Sequence, residues 1–192
     1  MDVEQLADHV AGSAQNQSRY MIAIAGPPGA GKSTLANQPH AGLEPKSERT
    51  CVIPMDGFHL DNVQLSQLGL LERKGAPETF DFDGFYSLIN RLKTGQNRVF
   101  YPIFDRGLDK AIAGSGVVAA GDNVVLVEGN YLLLNEAPWS SLRGMFDHTI
   151  YLETPIATLK DRLVQRWLNH GHTEQEALDR AMSNDIPIKA PF

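Results

Sequence analysis

Four short apolar runs punctuate the chain, and three of them stop abruptly at residues suited to a loop. Tyr20 to Ala25 breaks at Gly26, Thr50 to Met55 gives way to Asp56 and Gly57, Asn123 to Val127 stops at Glu128 and Gly129, and His148 to Leu152 is the fourth. Short apolar runs bounded by turn residues predict buried strands. With helical stretches between them, they predict a mostly parallel sheet with helices on both faces. Between the second and third runs, Phe85, Leu88, Ile89 and Leu92 recur at helical spacing. Arg98 to Phe104 and Lys110 to Val118 follow as a short alternating pair, which predicts a hairpin-like excursion over the end of the sheet. From Ile156 to Met182 the spacing of Leu159, Leu163 and Trp167, then Ala177, Leu178 and Ala181 beyond His170 and Gly171, predicts two helices joined near Gly171. At the other end, Val3, Leu6, Ala7, Val10 and Ala14 mark one weak helical face, so residues 1–18 are expected to be a docked helix or an arm.

A chain of 192 residues accommodates one α/β domain with a buried sheet and is short for two. The formal net charge of −6 leaves no global positive field for a nucleic-acid backbone, so any anion must be held locally. Cys51 is the single cysteine, which excludes an intramolecular disulfide. The first residues carry acidic side chains where a secretory signal needs basic ones, and no apolar run approaches a membrane span. A cytoplasmic protein without membrane attachment is expected.

The segment Gly26 to Ser33 reads Gly-Pro-Pro-Gly-Ala-Gly-Lys-Ser, the spacing of a phosphate-binding P-loop, with an apolar strand before it and Ser33, Thr34, Leu35 and Ala36 opening a helix after it. Gly26, Gly29 and Gly31 let backbone N–H groups converge on an anion, Ala30 and Thr34 lie in the same cradle, and the helix start adds partial positive charge. Lys32 is expected on the β- and γ-phosphates and the Ser33 hydroxyl on Mg²⁺. ATP and Mg²⁺ are therefore the expected cofactors. Pro39, with Gly42 and Pro45 behind it, predicts that the helix after the loop is short or kinked.

Asp56 and Glu128 both fall where an apolar run stops, and ligands of doubly wound sheets collect at the carboxyl ends of strands. If their strands flank the P-loop strand, both carboxylates face the γ-phosphate. Phosphoryl transfer to an alcohol needs charge neutralisation by Mg²⁺ and a carboxylate that takes or orients the hydroxyl proton. Asp56 is assigned to the hydroxyl and Glu128 to Mg²⁺ or its water shell. His59, His148, His170 and His172 lack metal-ligand spacing.

In this order the motifs resemble the uridine kinase, phosphoribulokinase and pantothenate kinase group of P-loop kinases. The resemblance rests on the P-loop, Met-Asp-Gly-Phe-His (Met55 to His59), Arg73 to Asp81, Tyr-Pro-Ile-Phe-Asp-Arg (Tyr101 to Arg106) and Val-Glu-Gly-Asn-Tyr-Leu-Leu (Val127 to Leu133). Through Asp56 to Asn62 it extends to bacterial kinases provisionally assigned to fructose transport. It implies the P-loop NTPase fold as one domain over 1–192, with a small hairpin and a helical lid at about 156–185. It implies Asp56 as base, and an acceptor site shared by Asp56, His59, Arg73, Lys74, Asp105, Arg106 and Glu128. Arg162 and Arg166, four residues apart on one helical face, resemble the lid arginines that close over the phosphates.

The expected reaction is transfer of the γ-phosphate of ATP to a hydroxyl of a small metabolite, ranked by resemblance as a sugar such as fructose, then a nucleoside or pantothenate. The competing class is a regulatory nucleotide-binding switch that hydrolyses ATP or GTP slowly. No Asn-Lys-x-Asp element for guanine is present, and the acceptor motifs would be idle in a switch. A homodimer is left open.

Overall fold

The computed structural model describes residues 19–37, 49–95, 97–169 and 171–182. The expected N-terminal arm, the segment around Pro39 and the end of the lid lie outside the described residues. Four parallel strands form the central sheet: β1 (Tyr20–Ala25), β2 (Arg49–Pro54), β5 (Asp122–Gly129) and β6 (His148–Tyr151), in the order β2-β5-β1-β6. A separate antiparallel hairpin is built from β3 (Val99–Asp105) and β4 (Lys110–Val118).

Alternate residues of β1 and β5 divide between the two faces of the sheet, as the pleat requires. Met21, Ala23, Val125 and Val127 face a core that holds α3 (Phe82–Thr94), whose Phe85, Leu88, Ile89 and Leu92 are all buried. Ile22, Ile24, Val124 and Leu126 face the other way, onto Ala36 of the short helix α1 (Lys32–Ala36). Full burial of each of these large side chains contributes about 1.5–3 kcal/mol, which makes α3 the principal anchor of its face. Asp81 caps α3 by accepting a hydrogen bond from the Gly84 N–H at 2.9 Å.

The strand order corrects one expectation. β5 flanks the P-loop strand, but β2 lies beyond it, so Asp56 is one strand farther from β1 than Glu128. The two carboxylates still converge, because Pro54 pairs with Glu128 across β2 and β5, and Glu128 pairs with Ile24 across β5 and β1. Asp56 belongs to a single 3₁₀ turn, Met55–Phe58, rather than to the strand itself.

Beneath that turn sits an aromatic block. Trp139 packs against Phe82 at 5.2 Å, Tyr131 at 5.4 Å and Phe80 at 5.9 Å between ring centroids, and Phe58 meets Phe85 edge-on at 5.2 Å. The hairpin is fastened to the same region, with the Tyr101 hydroxyl donating to the Val52 carbonyl at 2.9 Å. The backbones touch where the 3₁₀ turn passes β3: a Cβ on Gly57 would lie 2.0 Å from the Pro102 carbonyl oxygen. At the opposite end of the sheet, the buried guanidinium of Arg19 donates to the carbonyls of Gly95, Asn97, Ala119 and Asp122.

The remaining helices are α2 (Asn62–Leu68), α4 (Ile156–Asn169) and α5 (Glu174–Arg180). Thr173 and Glu176 form a reciprocal capping box at the start of α5. The paired helices joined near Gly171 match the sequence periodicity.

Candidate active site

The carboxyl ends of β1, β2 and β5 open into one cleft of about 1380 Å³. The loop after β1 forms its floor. Gly29 and Gly31 have φ of 79° and 96°, left-handed values that a side chain tolerates poorly, so glycine is needed for the loop to curl. Gly31 is the N-cap of α1 and supplies no side-chain cap, which leaves the first-turn N–H groups to an anion.

Lys32 is buried at the root of this loop. Its ammonium donates to the carbonyls of Gly26 and Pro27, each at 2.9 Å, and to Asn130 Oδ1 at 2.8 Å. Burial lowers its pKa to about 8, against the opposing pull of Glu128 and Asp56. Beside it, the Ser33 hydroxyl donates to Glu128 Oε1 at 2.9 Å. Glu128 is itself buried, and burial followed by the charge of Asp56 raises its pKa.

At the far end of the cleft, Arg106 Nη2 lies 3.3 Å from Asp56 Oδ2. His59 is stacked on Phe80 at 4.1 Å and meets Phe104 edge-on at 4.9 Å, with its Nδ1 buried and unpartnered. Burial depresses the imidazole pKa to about 4, so it is neutral at physiological pH. Helix α4 borders the other side. Arg162 Nη1 donates to the Gly29 carbonyl at 3.0 Å, and Leu163 packs its buried side chain against Ala30 of the loop. Arg166, one helical turn on, also lines the cleft.

Of the residues expected from sequence, Gly29 to Thr34, Asp56, His59, Lys74, Arg106, Glu128, Arg162 and Arg166 share this cleft. Gly26 lies at its root through its carbonyl on Lys32. Two others lie elsewhere. Arg73 is turned outward onto Glu78, and Asp105 spends Oδ1 on the N–H groups of Gly107 and Leu108 within the hairpin turn. Arg73 is held off by a carboxylate five residues away, and Asp105 by the turn it caps. Sequence reasoning missed Asn130, Asn62 and Asp109, all of which line the cleft. Asn130 was findable, since it follows Glu128 by two residues at the same strand end. Asn62 closes the Asp56 to Asn62 segment and was findable there, whereas Asp109 carries no local signal.

The donor set suits magnesium. That ion is held by one or two side-chain oxygens with water and phosphate completing its shell, and Ser33 with Glu128 offers that pairing at the floor of the cleft. Among the described residues no cluster of three or more His, Cys, Asp or Glu exists to cage a metal by protein alone.

A family model, the phosphoribulokinase and uridine kinase family, matches residues 21–184, which include every element of this cleft. The chain belongs to that family. It is thus a P-loop small-molecule kinase, and ATP is the phosphate donor the family implies. Among proteins similar to this kinase, one from Schizosaccharomyces pombe, provisionally named a uridine kinase, is 36% identical over 181 residues, covering 90% of this chain and 77% of that one. A pantothenate kinase from a Nocardioides species is 29% identical over 162 residues, and the matched part is about half (49%) of its own length. The crystal structure of a kinase from Silicibacter sp. TM1040, provisionally assigned to a fructose transport system, superimposes with a TM-score of 0.90 at 47% identity, covering 97% of this chain and 91% of that one.

Proposed function

We propose that this kinase transfers the γ-phosphate of ATP to a hydroxyl of a small sugar, fructose being the first candidate, and that it works in the cytoplasm. The observation that carries the proposal is the placement of Asp56 and Glu128 in one cleft with the P-loop, at an end rich in hydrogen-bonding side chains. A polyhydroxylated acceptor suits such an end better than an apolar one does. The Silicibacter kinase supports the sugar assignment by its description and its 47% identity.

In this mechanism the loop N–H groups and Lys32 hold the triphosphate, with the ammonium exchanging carbonyl partners for phosphate oxygens. Asp56 orients the acceptor hydroxyl and takes its proton at Oδ, general-base work worth about 10²–10⁴ in rate. Ser33 and Glu128 would hold the magnesium ion, which neutralises charge on the phosphates when bound. Arg162 and Arg166 bring positive charge from the lid onto the transferring group, an effect of about 10³–10⁵ where it has been isolated. His59 and Arg106 line the acceptor side. The remaining catalysis is positioning.

The test is ATP consumption with a panel of sugars, nucleosides and pantothenate. Fructose-dependent turnover well above the rest is expected. A stronger response to a nucleoside or to pantothenate overturns the sugar assignment, and hydrolysis indifferent to every acceptor overturns the kinase mechanism in favour of a switch. Asp56→Asn should lower kcat by orders of magnitude with ATP affinity nearly constant.

A further inference from the structure

The turn of the hairpin meets the acceptor end of the cleft at two points. Arg106 contacts Asp56, as described. Three residues later, Asp109 is gripped by Lys74, whose ammonium lies 2.8 Å from Oδ1 and 3.1 Å from the Asp109 carbonyl oxygen. The same ammonium donates to Asn62 Oδ1 at 2.6 Å, and Asn62 Nδ2 donates to Asp109 Oδ2 at 2.7 Å. An ammonium has three N–H donors, and these three oxygens match them. The first residue of α2, the loop holding Lys74 and the hairpin turn are thereby closed into one ring, capped by the Phe104 face 5.1 Å from Lys74 Nζ.

Two further features make the ring a mechanical link to Arg106. Asp109 adopts a left-handed φ of 53°, a turn conformation that aspartate accepts more readily than most residues and that fixes where its carboxylate meets Lys74. Between Arg106 and Asp109, the N–H groups of Gly107 and Leu108 are both tied to Asp105 Oδ1, which makes the turn a small rigid unit. Lys74 is mostly shielded, at 16% side-chain exposure, while Asp109 is half exposed at 53%, so screening reaches the pair from the hairpin side only.

We infer that Lys74 is a positioning residue, which seats the hairpin turn through Asp109 so that Arg106 is held against Asp56. The inference deepens the kinase mechanism above and rests on it for the role of Asp56. Losing the grip on Asp109 frees the turn, takes Arg106 from Asp56 and loosens the acceptor wall. The P-loop side is untouched.

The first experiment needs no acceptor. Hydrogen exchange, read by mass spectrometry on peptides spanning residues 105–112, is compared for the full chain, Lys74→Met, Asp109→Asn and the double variant. Each single variant should exchange about fivefold faster in the turn, and the double no faster than Lys74→Met. Unchanged exchange in both singles overturns the inference. The second experiment measures KM for MgATP and for D-fructose, uridine and pantothenate. The KM of the acceptor turned over should rise about fivefold in each single variant, that of ATP should stay within about twofold, and Lys74→Arg should restore most of the loss. Effects of the two singles that multiply in the double identify Lys74 as a direct acceptor contact and overturn the inference. If the unmodified chain phosphorylates none of the three, the proposed mechanism fails, while the exchange result still decides whether Lys74 holds the turn.

Discussion

The Ser33 hydroxyl donates a 2.9 Å hydrogen bond to Glu128 Oε1, joining the first turn after the P-loop to the end of the neighbouring strand. Under the proposed mechanism, a carboxylate so placed helps to hold the magnesium ion together with the hydroxyl it orients. Removing a carboxylate that merely orients a ligand typically costs about 10–100-fold in metal affinity, and the proposed role of Glu128 in holding the ion makes that range a lower bound. Glu128→Gln should therefore raise the Mg²⁺ concentration for half-maximal turnover by at least about tenfold. A magnesium titration that superimposes on that of the unmodified kinase removes Glu128 from this role.

Lys32 should take up a proton when nucleotide binds at alkaline pH. Its buried ammonium has a pKa of about 8, and a polyphosphate beside it favours the charged form. Calorimetry of MgATP binding at pH 8 in buffers of different ionisation heat should show an enthalpy that varies with buffer, with uptake of up to about half a proton. At pH 6.5 the variation should be small. The sign for folding is the opposite one: folding lowers the pKa, so between about 8 and 10.5 the unfolded chain holds more protons, and the cost of burying this group is present below 8 and gone above 10.5. A buffer-independent enthalpy at pH 8 contradicts the assignment.

His59 should make the fold acid-sensitive. Its folded pKa of about 4 lies below the ordinary 6.5, so the unfolded chain binds the extra proton in that interval. The contribution to stability is complete above 6.5 and is lost as pH falls toward 4. Thermal melts from pH 7 to 4.5 should show a declining midpoint, and His59→Phe should flatten part of the decline. Parallel curves for the two proteins exclude His59 as the source.

Gly57 should not accept alanine without moving the hairpin. A Cβ there falls 2.0 Å from a backbone oxygen of Pro102, and a backbone contact cannot rotate away as a long side chain can. Gly57→Ala is expected to fold, because the aromatic block below is unaffected, but to lose at least about tenfold in kcat/KM for the acceptor as Asp56 and Arg106 separate. Full activity in Gly57→Ala would show that the turn and hairpin are free to slide.

Much of this architecture was legible in the residues alone, for reasons that can be named. Buried parallel strands are uniformly apolar and end sharply, so β1, β2, β5 and β6 stood out, and the stripe from Phe85 to Leu92 could only be an amphipathic helix. The P-loop carries its own spacing. What the pattern could not supply was strand order, because nothing local to Thr50–Met55 says which neighbour it takes, and Asp56 reaches the cleft although β5 lies between β2 and β1, through the register that sets Pro54 beside Glu128. Side-chain pairings were hidden for the same reason. Arg73 looked like an acceptor ligand until Glu78 was seen to hold it, and the Lys74, Asn62 and Asp109 ring joins segments 12 to 47 residues apart. Arg19, binding four carbonyls, gave no sign in sequence that it staples the back of the sheet.

The aromatic block under the 3₁₀ turn separates two kinds of evolutionary freedom. Trp139 and its neighbours brace the backbone that carries Asp56, whereas the charged rim above belongs to a solvent-facing loop. Under the proposed mechanism, substitutions in the rim alter the wall around the acceptor while the aromatic block keeps the backbone of Asp56 in place, so acceptor choice and fold are open to change separately.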